Sequence, residues 1–270
     1  MKYLTEKEIH VCGLQRTGQH AIIAWLIGHF DTVCFKNGMS PKNSQYRRGL
    51  APPWWYFHLS KNNFKFIVDN KVNIKSNQDA IILGTEYMEN GIELNPELNN
   101  EKELMLTRMQ YDEFSKFKNY VLVLRSPWNQ LASILAWKKR WYLKNKDRFI
   151  HGWLNSANEY LGITHFLPKP KIFINFDEWF VDKQYRQLIS EKMNIKFSDR
   201  GLNIVLPMGY GKKGSSFDKM TYMNKAQNMN VLNRWKKYYD NKIEFRNVLE
   251  SNKELKTLSK EIFGSFPWKK

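Results

Sequence analysis

The chain has 270 residues, 42% of them hydrophobic, which is enough for one sizeable core and forces no second domain. With 43 Lys and Arg against 26 Asp and Glu, its formal net charge of +17 favours phosphates, sulfated glycans, nucleic acid or anionic surfaces as partners. The longest apolar run, Ala21 to Ile27, is too short to span a bilayer, and the start MKYLTEKEIH lacks the cationic head and apolar stretch of a secretion signal. A cytoplasmic protein without a transmembrane segment is therefore expected. The charge is dispersed, with local clusters only at 138–140 and in Lys pairs at 212, 236 and 269. No RNP segment, C2H2 spacing or recognition helix accompanies it, so no specific nucleic-acid partner is expected. Cys12 and Cys34 sit in candidate strands among apolar neighbours and read as small buried thiols, so neither a disulfide nor a metal site is implied.

The first informative segment is IHVCGLQRTGQHAIIAWL, residues 9–26: an apolar strand, a glycine-bounded polar loop and an amphipathic helix. The loop GLQRTGQH keeps the two glycines of a Walker A loop, Gly13 and Gly18, at that motif's spacing. Gln19 and His20 stand where its Lys and Ser/Thr should follow. The amides of Thr17 to His20 fall at a helix N-terminus, where unpaired N–H groups and the helix dipole favour an anion. Without a magnesium-binding hydroxyl, and with a cation at Arg16, the loop suits a nucleotide that is not hydrolysed through a metal. The helix carries Ile22, Trp25, Leu26 and His29 at helical spacing, so His29 reads as a helix-end residue and not as a ligand.

Five β-rich runs, Glu8 to Gly13, Thr32 to Lys36, Ala80 to Gly84, Tyr120 to Arg125 and Lys171 to Phe176, are mostly separated by helical patterns. This predicts an α/β fold: a three-layer, open, mostly parallel five-stranded sheet with helices on both faces and a P-loop-like phosphate-binding loop. The run YVLVL has no polar alternation and fits a central strand covered on both faces. Between residues 37 and 79 the pattern lapses into a long polar insertion, with a further strand at Phe64 to Val68 and the aromatic segment APPWWYFHLS, which suits an acceptor platform or buried packing.

After Arg125, Ser126 and Pro127 make a helix start, with Ser126 as N-cap. The helix runs through LASILAWKKRW, and more helix is expected at Gly152 to Leu161. The fifth strand leads into a turn and helix, followed by the basic glycine loop GYGKKGSSFDK. A helical cap at about 224–270 completes a single domain spanning 1–270. Arg125 ends a strand and Ser133 follows it on the next helix, on one face with Asn129. A guanidinium and a hydroxyl so placed can share one phosphate in the crevice where open α/β sheets bind ligands.

These two motifs resemble those of sulfotransferases that use 3′-phosphoadenosine 5′-phosphosulfate (PAPS) as donor. GLQRTGQH is similar in register to GLPRSGTT, the 5′-phosphosulfate loop of many bacterial members, with Gln15 in place of the proline and Gln19–His20 in place of the Thr pair. Arg125 and Ser133 reproduce the family's 3′-phosphate element. The stretch KIFINFDEWFVDKQYRQLISEKMNIKFSD also looks like the family's strand, helix and short apolar-acidic segment. The resemblance implies that Gln15, Arg16, Thr17, Gly18, Gln19 and His20 hold the 5′ end of the donor and that Arg125 and Ser133 hold its 3′-phosphate. It adds Lys212, Lys213, Gly214 and Ser215 of the glycine loop, with no metal. Arg16 and His20 would stabilise the transferring group and its leaving phosphate. Glu86, which ends the strand AIILGTE, is the first choice of base, and His58 is the alternative. The expected activity is sulfuryl transfer to a hydroxyl or amine of a glycan or small molecule. A P-loop nucleotide kinase, or a non-catalytic polyanion-binding protein on the same fold, are the alternatives.

Overall fold

A computed structural model describes residues 5–36, 54–60, 63–69, 78–87, 115–206, 230–240 and 242–268. The five expected strands form, as β1 (Thr5–Leu14), β2 (Thr32–Lys36), β5 (Gln78–Tyr87), β6 (Ser115–Leu124) and β7 (Lys171–Asn175). They lie side by side in the order β2-β5-β1-β6-β7, and every neighbouring pair is parallel. Two further strands, β3 (Trp54–Ser60) and β4 (Asn63–Asp69), extend this core beyond β2 as an antiparallel hairpin. The sheet therefore has seven strands: β4 is the further strand expected at Phe64 to Val68, and the segment WWYFHLS adds one more to the five of the parallel core.

Alternation along the strands feeds two cores. Ile9 and Val11 of β1, Val121 and Val123 of β6, and Ile172 and Ile174 of β7 face α1 (Gln19–Ile27), where Ile22, Trp25 and Leu26 are fully buried. The same layer takes Trp179 of α3 (Phe176–Val181) and Ile189 of α4 (Lys183–Lys192). The opposite layer is built on α2 (Pro127–Tyr160), whose Leu131, Leu135 and Trp153 pack with Leu14 and Leu124. Below them lie α6 (Ile243–Ser251) and α7 (Lys253–Phe263), which follow the single turn α5 (Lys236–Tyr239). A sheet buried on both faces explains why its central strands lack a polar alternation.

The two helical stretches expected after Arg125 are one continuous helix, α2. Pro127 opens it as expected, but Ser126 does not cap it with its side chain, because the hydroxyl is hydrogen-bonded to the carboxylate of Asp177. At the far end, the buried Glu159 carboxylate accepts from Thr164 Oγ1, the Phe166 and Leu167 amides, and Lys171 Nζ at 2.8 Å. A buried carboxylate with four donors is well compensated, and here it ties the helix end to the start of β7. The parallel arrangement also delivers the ends of β1, β5, β6 and β7 to one edge of the sheet, where the candidate residues gather.

Candidate active site

The loop after β1 is shaped by backbone geometry before any ligand chemistry. Arg16 and Gly18 both adopt left-handed conformations, with φ of 68° and 94°. Gly18 is required there, since a Cβ would stand 2.1 Å from Cε2 of Phe176 in a backbone region that L side chains rarely adopt. Thr17 is fully buried, and its Oγ1 donates to the Leu14 carbonyl at 2.9 Å. Gln19 is buried as well and donates through Nε2 to the Val11 carbonyl at 2.8 Å. Both side chains thus hold the loop, and the Thr17 amide does so too, donating to the Leu14 carbonyl at 3.3 Å, which corrects the expectation that this amide faces an anion. The first turn of α1 has no side-chain cap, and its Ala21 amide closes a tight turn onto the Gly18 carbonyl at 2.9 Å. His20 is part-buried in that turn, and Gln15 is anchored to α2 through its carbonyl, which accepts from Gln130 Nε2 at 2.8 Å.

Arg125 and Ser133 come to the same place as the loop. Ser133, 2% exposed, accepts at Oγ from Arg16 Nε at 3.2 Å and from Arg234 Nη1 at 3.3 Å. Arg125, 3% exposed, donates from Nη1 to the Arg16 carbonyl at 3.1 Å and from Nη2 to the Val231 carbonyl. Its own carbonyl accepts from Trp153 Nε1 at 2.9 Å. The Arg16 and Arg234 guanidinium groups therefore meet at the Ser133 hydroxyl, and the Arg125 guanidinium sits on the Arg16 carbonyl of the same loop. Such a donor set suits an oxyanion and repels a divalent cation.

Arg234 is the member of this cluster that the sequence conceals. It lies in the charged segment before α5, 101 residues from Ser133, with no motif to single it out. It also lines a cleft of about 600 Å³ together with Ala136, Asn233, Lys236, Lys237 and Tyr238. Ala136 is one turn along α2 from Ser133, so the cleft opens directly beside the arginine cluster.

Asn129 shares the helical face of Ser133 but is turned to bracing. Its Nδ2 donates to Ser126 Oγ at 3.0 Å and to Asp177 at 3.1 Å. Asp177 also accepts from the Ser126 amide at 3.4 Å, so the first turn of α3 is locked to the first turn of α2. Further along, Asp199 receives a two-pronged contact from Arg186, 3.0 Å on each oxygen, and Trp25 Nε1 at 2.9 Å. That carboxylate, at the end of the apolar-acidic segment, fastens α4 to α1.

The two candidate bases fall at opposite ends of the sheet. Glu86 stands in β5 opposite Gly13 of β1, level with the start of the loop and one strand away. His58 stands in β3 opposite Thr32, at the amino end of β2. Val33 pairs with Ala80, so that level is about seven residues, or roughly 23 Å along the strand, from Glu86. Lys212, Lys213, Gly214 and Ser215 lie outside the described residues. Among the described residues, no helix is long and apolar enough to cross a membrane.

No family model and no curated protein matches the sequence. The fold does have solved counterparts. Over 98% of this chain and 98% of the counterpart, it superposes on the sulfotransferase domain of the olefin synthase from Synechococcus PCC 7002, with a TM-score of 0.52 and 12% sequence identity. At that identity the likeness speaks to architecture: the chain has a sulfotransferase-like α/β fold.

Proposed function

We propose that the chain is a sulfotransferase that takes a sulfuryl group from PAPS and delivers it to a hydroxyl or amine of a glycan or small molecule. The observation that carries this reading is the meeting of Arg16, Arg125, Ser133 and Arg234 beside an uncapped helix N-terminus. A nucleoside with phosphates at both 3′ and 5′ positions needs two anion sites a short distance apart. The loop amides with Arg16 supply one, and Arg125, Ser133 and Arg234 supply the other.

The residues present fit such a donor. A serine oxygen has two lone pairs and one proton. At Ser133 two guanidinium groups point at the oxygen, so its proton suits an anionic oxygen. The carbonyls that Arg125 now engages are acceptors of the kind that a phosphate oxygen would replace. The donor supplies the electrophilic sulfur when bound. Arg16, His20 and the first amides of α1 would stabilise the charge that grows on the leaving 5′-phosphate as the S–O bond breaks. Glu86 would take the proton as the acceptor oxygen or nitrogen bonds to sulfur. In the same reading Lys212, Lys213, Gly214 and Ser215 would add contacts to the 3′-phosphate.

Calorimetric titration with 3′-phosphoadenosine 5′-phosphate (PAP), the desulfated product, tests this reading. PAP binding at least tenfold tighter than AMP, without magnesium, is expected. Equal affinities for the two would overturn the donor assignment. Magnesium-dependent ATP binding in their place would return the protein to the kinase alternative, which the absence of Lys and Ser/Thr after Gly18 opposes. The cationic cleft at Arg234, Lys236 and Lys237 favours a polyanion-binding protein as second reading. It would be supported by salt-sensitive polyanion binding with no transfer to any acceptor in a broad screen.

A further inference from the structure

One buried ring underlies both halves of the cradle. Asn175 pairs with Leu124 across β7 and β6, so the next residues, Phe176 and Arg125, stand side by side just past the strand ends. The Phe176 ring is 2% exposed and is backed by Trp179, with centroids 5.6 Å apart. On one side it fills the space beneath Gly18, leaving no room for a Cβ. It also carries the guanidinium of Arg125, whose Cζ is 5.0 Å from the ring centroid. The backbone on either side is fixed independently. Asn175 Oδ1 accepts from the Asp177 amide at 3.1 Å, and the Asp177 carboxylate accepts from the Ser126 amide.

We propose that Phe176 is a positioning residue: it sets the Gly18 turn and the Arg125 guanidinium at one relative spacing, and so tunes the site to the separation of two phosphates on one nucleoside. This inference rests on the donor reading above. The ring acts through Gly18 and Arg125 and needs no contact with the nucleotide. A leucine in its place would keep much of the volume but offer Arg125 no π face, so the guanidinium would lose its fixed plane. The 3′-phosphate would then suffer more than the 5′-phosphate, whose site is also held by Thr17, Gln19 and Gln130.

Titration of the wild-type protein, Phe176→Leu and Phe176→Tyr with PAP and with AMP, well below each measured melting temperature, tests this. Phe176→Leu is expected to weaken PAP about tenfold and AMP about threefold or less, so that the preference for PAP falls. Phe176→Tyr keeps the ring and should keep the preference. Phe176→Met, close in volume and also without a π face, carries the same expectation as leucine should that variant not fold. An unchanged PAP-to-AMP ratio in the ring-less variants, including equal weakening of both ligands, overturns the positioning role while the donor reading stands. A wild-type protein with no preference for PAP overturns both.

Discussion

Arg16 and Ser133 are 117 residues apart in the chain and 3.2 Å apart in space, Nε to Oγ. This contact joins the loop after β1 to the second turn of α2, so the two motifs proposed to bind phosphate are parts of one surface. Removing the hydroxyl by Ser133→Ala takes an acceptor from two arginines and a donor from any bound phosphate. A hydrogen bond to a charged group is worth about 1.5–3 kcal/mol. PAP affinity should fall roughly 10–100-fold and AMP affinity much less, as read by calorimetry; PAP binding within twofold of wild type would exclude Ser133 from the site.

Arg234 is part-buried, and its side chain reaches Ser133 from the C-terminal segment. Arg234→Ala should weaken PAP about tenfold and flatten the dependence of its binding on ionic strength, because one interacting charge is gone. Urea denaturation should shift by about 0.5–1.5 kcal/mol, the net worth of the lost hydrogen bond to Ser133. A variant with unchanged affinity and salt dependence would assign the arginine to the cleft alone.

Glu86 shares its level in the sheet with Gly13. Glu86→Gln keeps the shape and removes the proposed base. Sulfuryl transfer to an acceptor identified by screening should drop by about 10²–10⁴ in kcat, with PAP affinity preserved. Turnover that survives within a few-fold would move the base elsewhere. His58→Gln serves as the companion and should leave turnover intact, since the register puts His58 at the other end of the sheet.

His29 makes stability depend on pH. Burial lowers its pKa from 6.5 to about 4, against the opposing effects of the Trp25 carbonyl and Asp199. Nδ1 donates to that carbonyl at 2.9 Å, and Nε2 lies 3.0 Å from the Ser190 hydroxyl. The unfolded chain binds a proton below pH 6.5 and the folded chain does not until about pH 4. The contribution is therefore complete above pH 6.5 and is lost as pH falls toward 4, by roughly 3 kcal/mol in all. Urea denaturation between pH 7 and 4.5 should show this decline, and His29→Gln should flatten it.

The parallel core was legible because each of its strands is a short apolar run set off by polar or helical sequence. β3 was harder to read, since two prolines and an aromatic block look alike as loop or strand until Trp54 to His58 are seen to pair with Thr32 to Lys36. Arg125 and Ser133 stood out by spacing along one strand–helix unit. Their partner Arg234 did not, because only the packing of the C-terminal helices on α2 brings it near. The direction of a loop side chain is equally invisible in sequence. Gln19 looks like a ligand in GLQRTGQH, yet its amide nitrogen is bonded to the Val11 carbonyl.

Arg16 holds a left-handed backbone without being glycine. That conformation costs an ordinary residue about 1–2 kcal/mol, whereas glycine adopts it freely and gives back about 0.5–1 kcal/mol through its looser unfolded chain. Arg16→Gly should consequently fold about as well as the wild type, or better, while PAP affinity collapses. Mutants recovered for heat resistance alone would then drift toward glycine at this position, and the trade between durability and chemistry in this protein would surface first at a single residue.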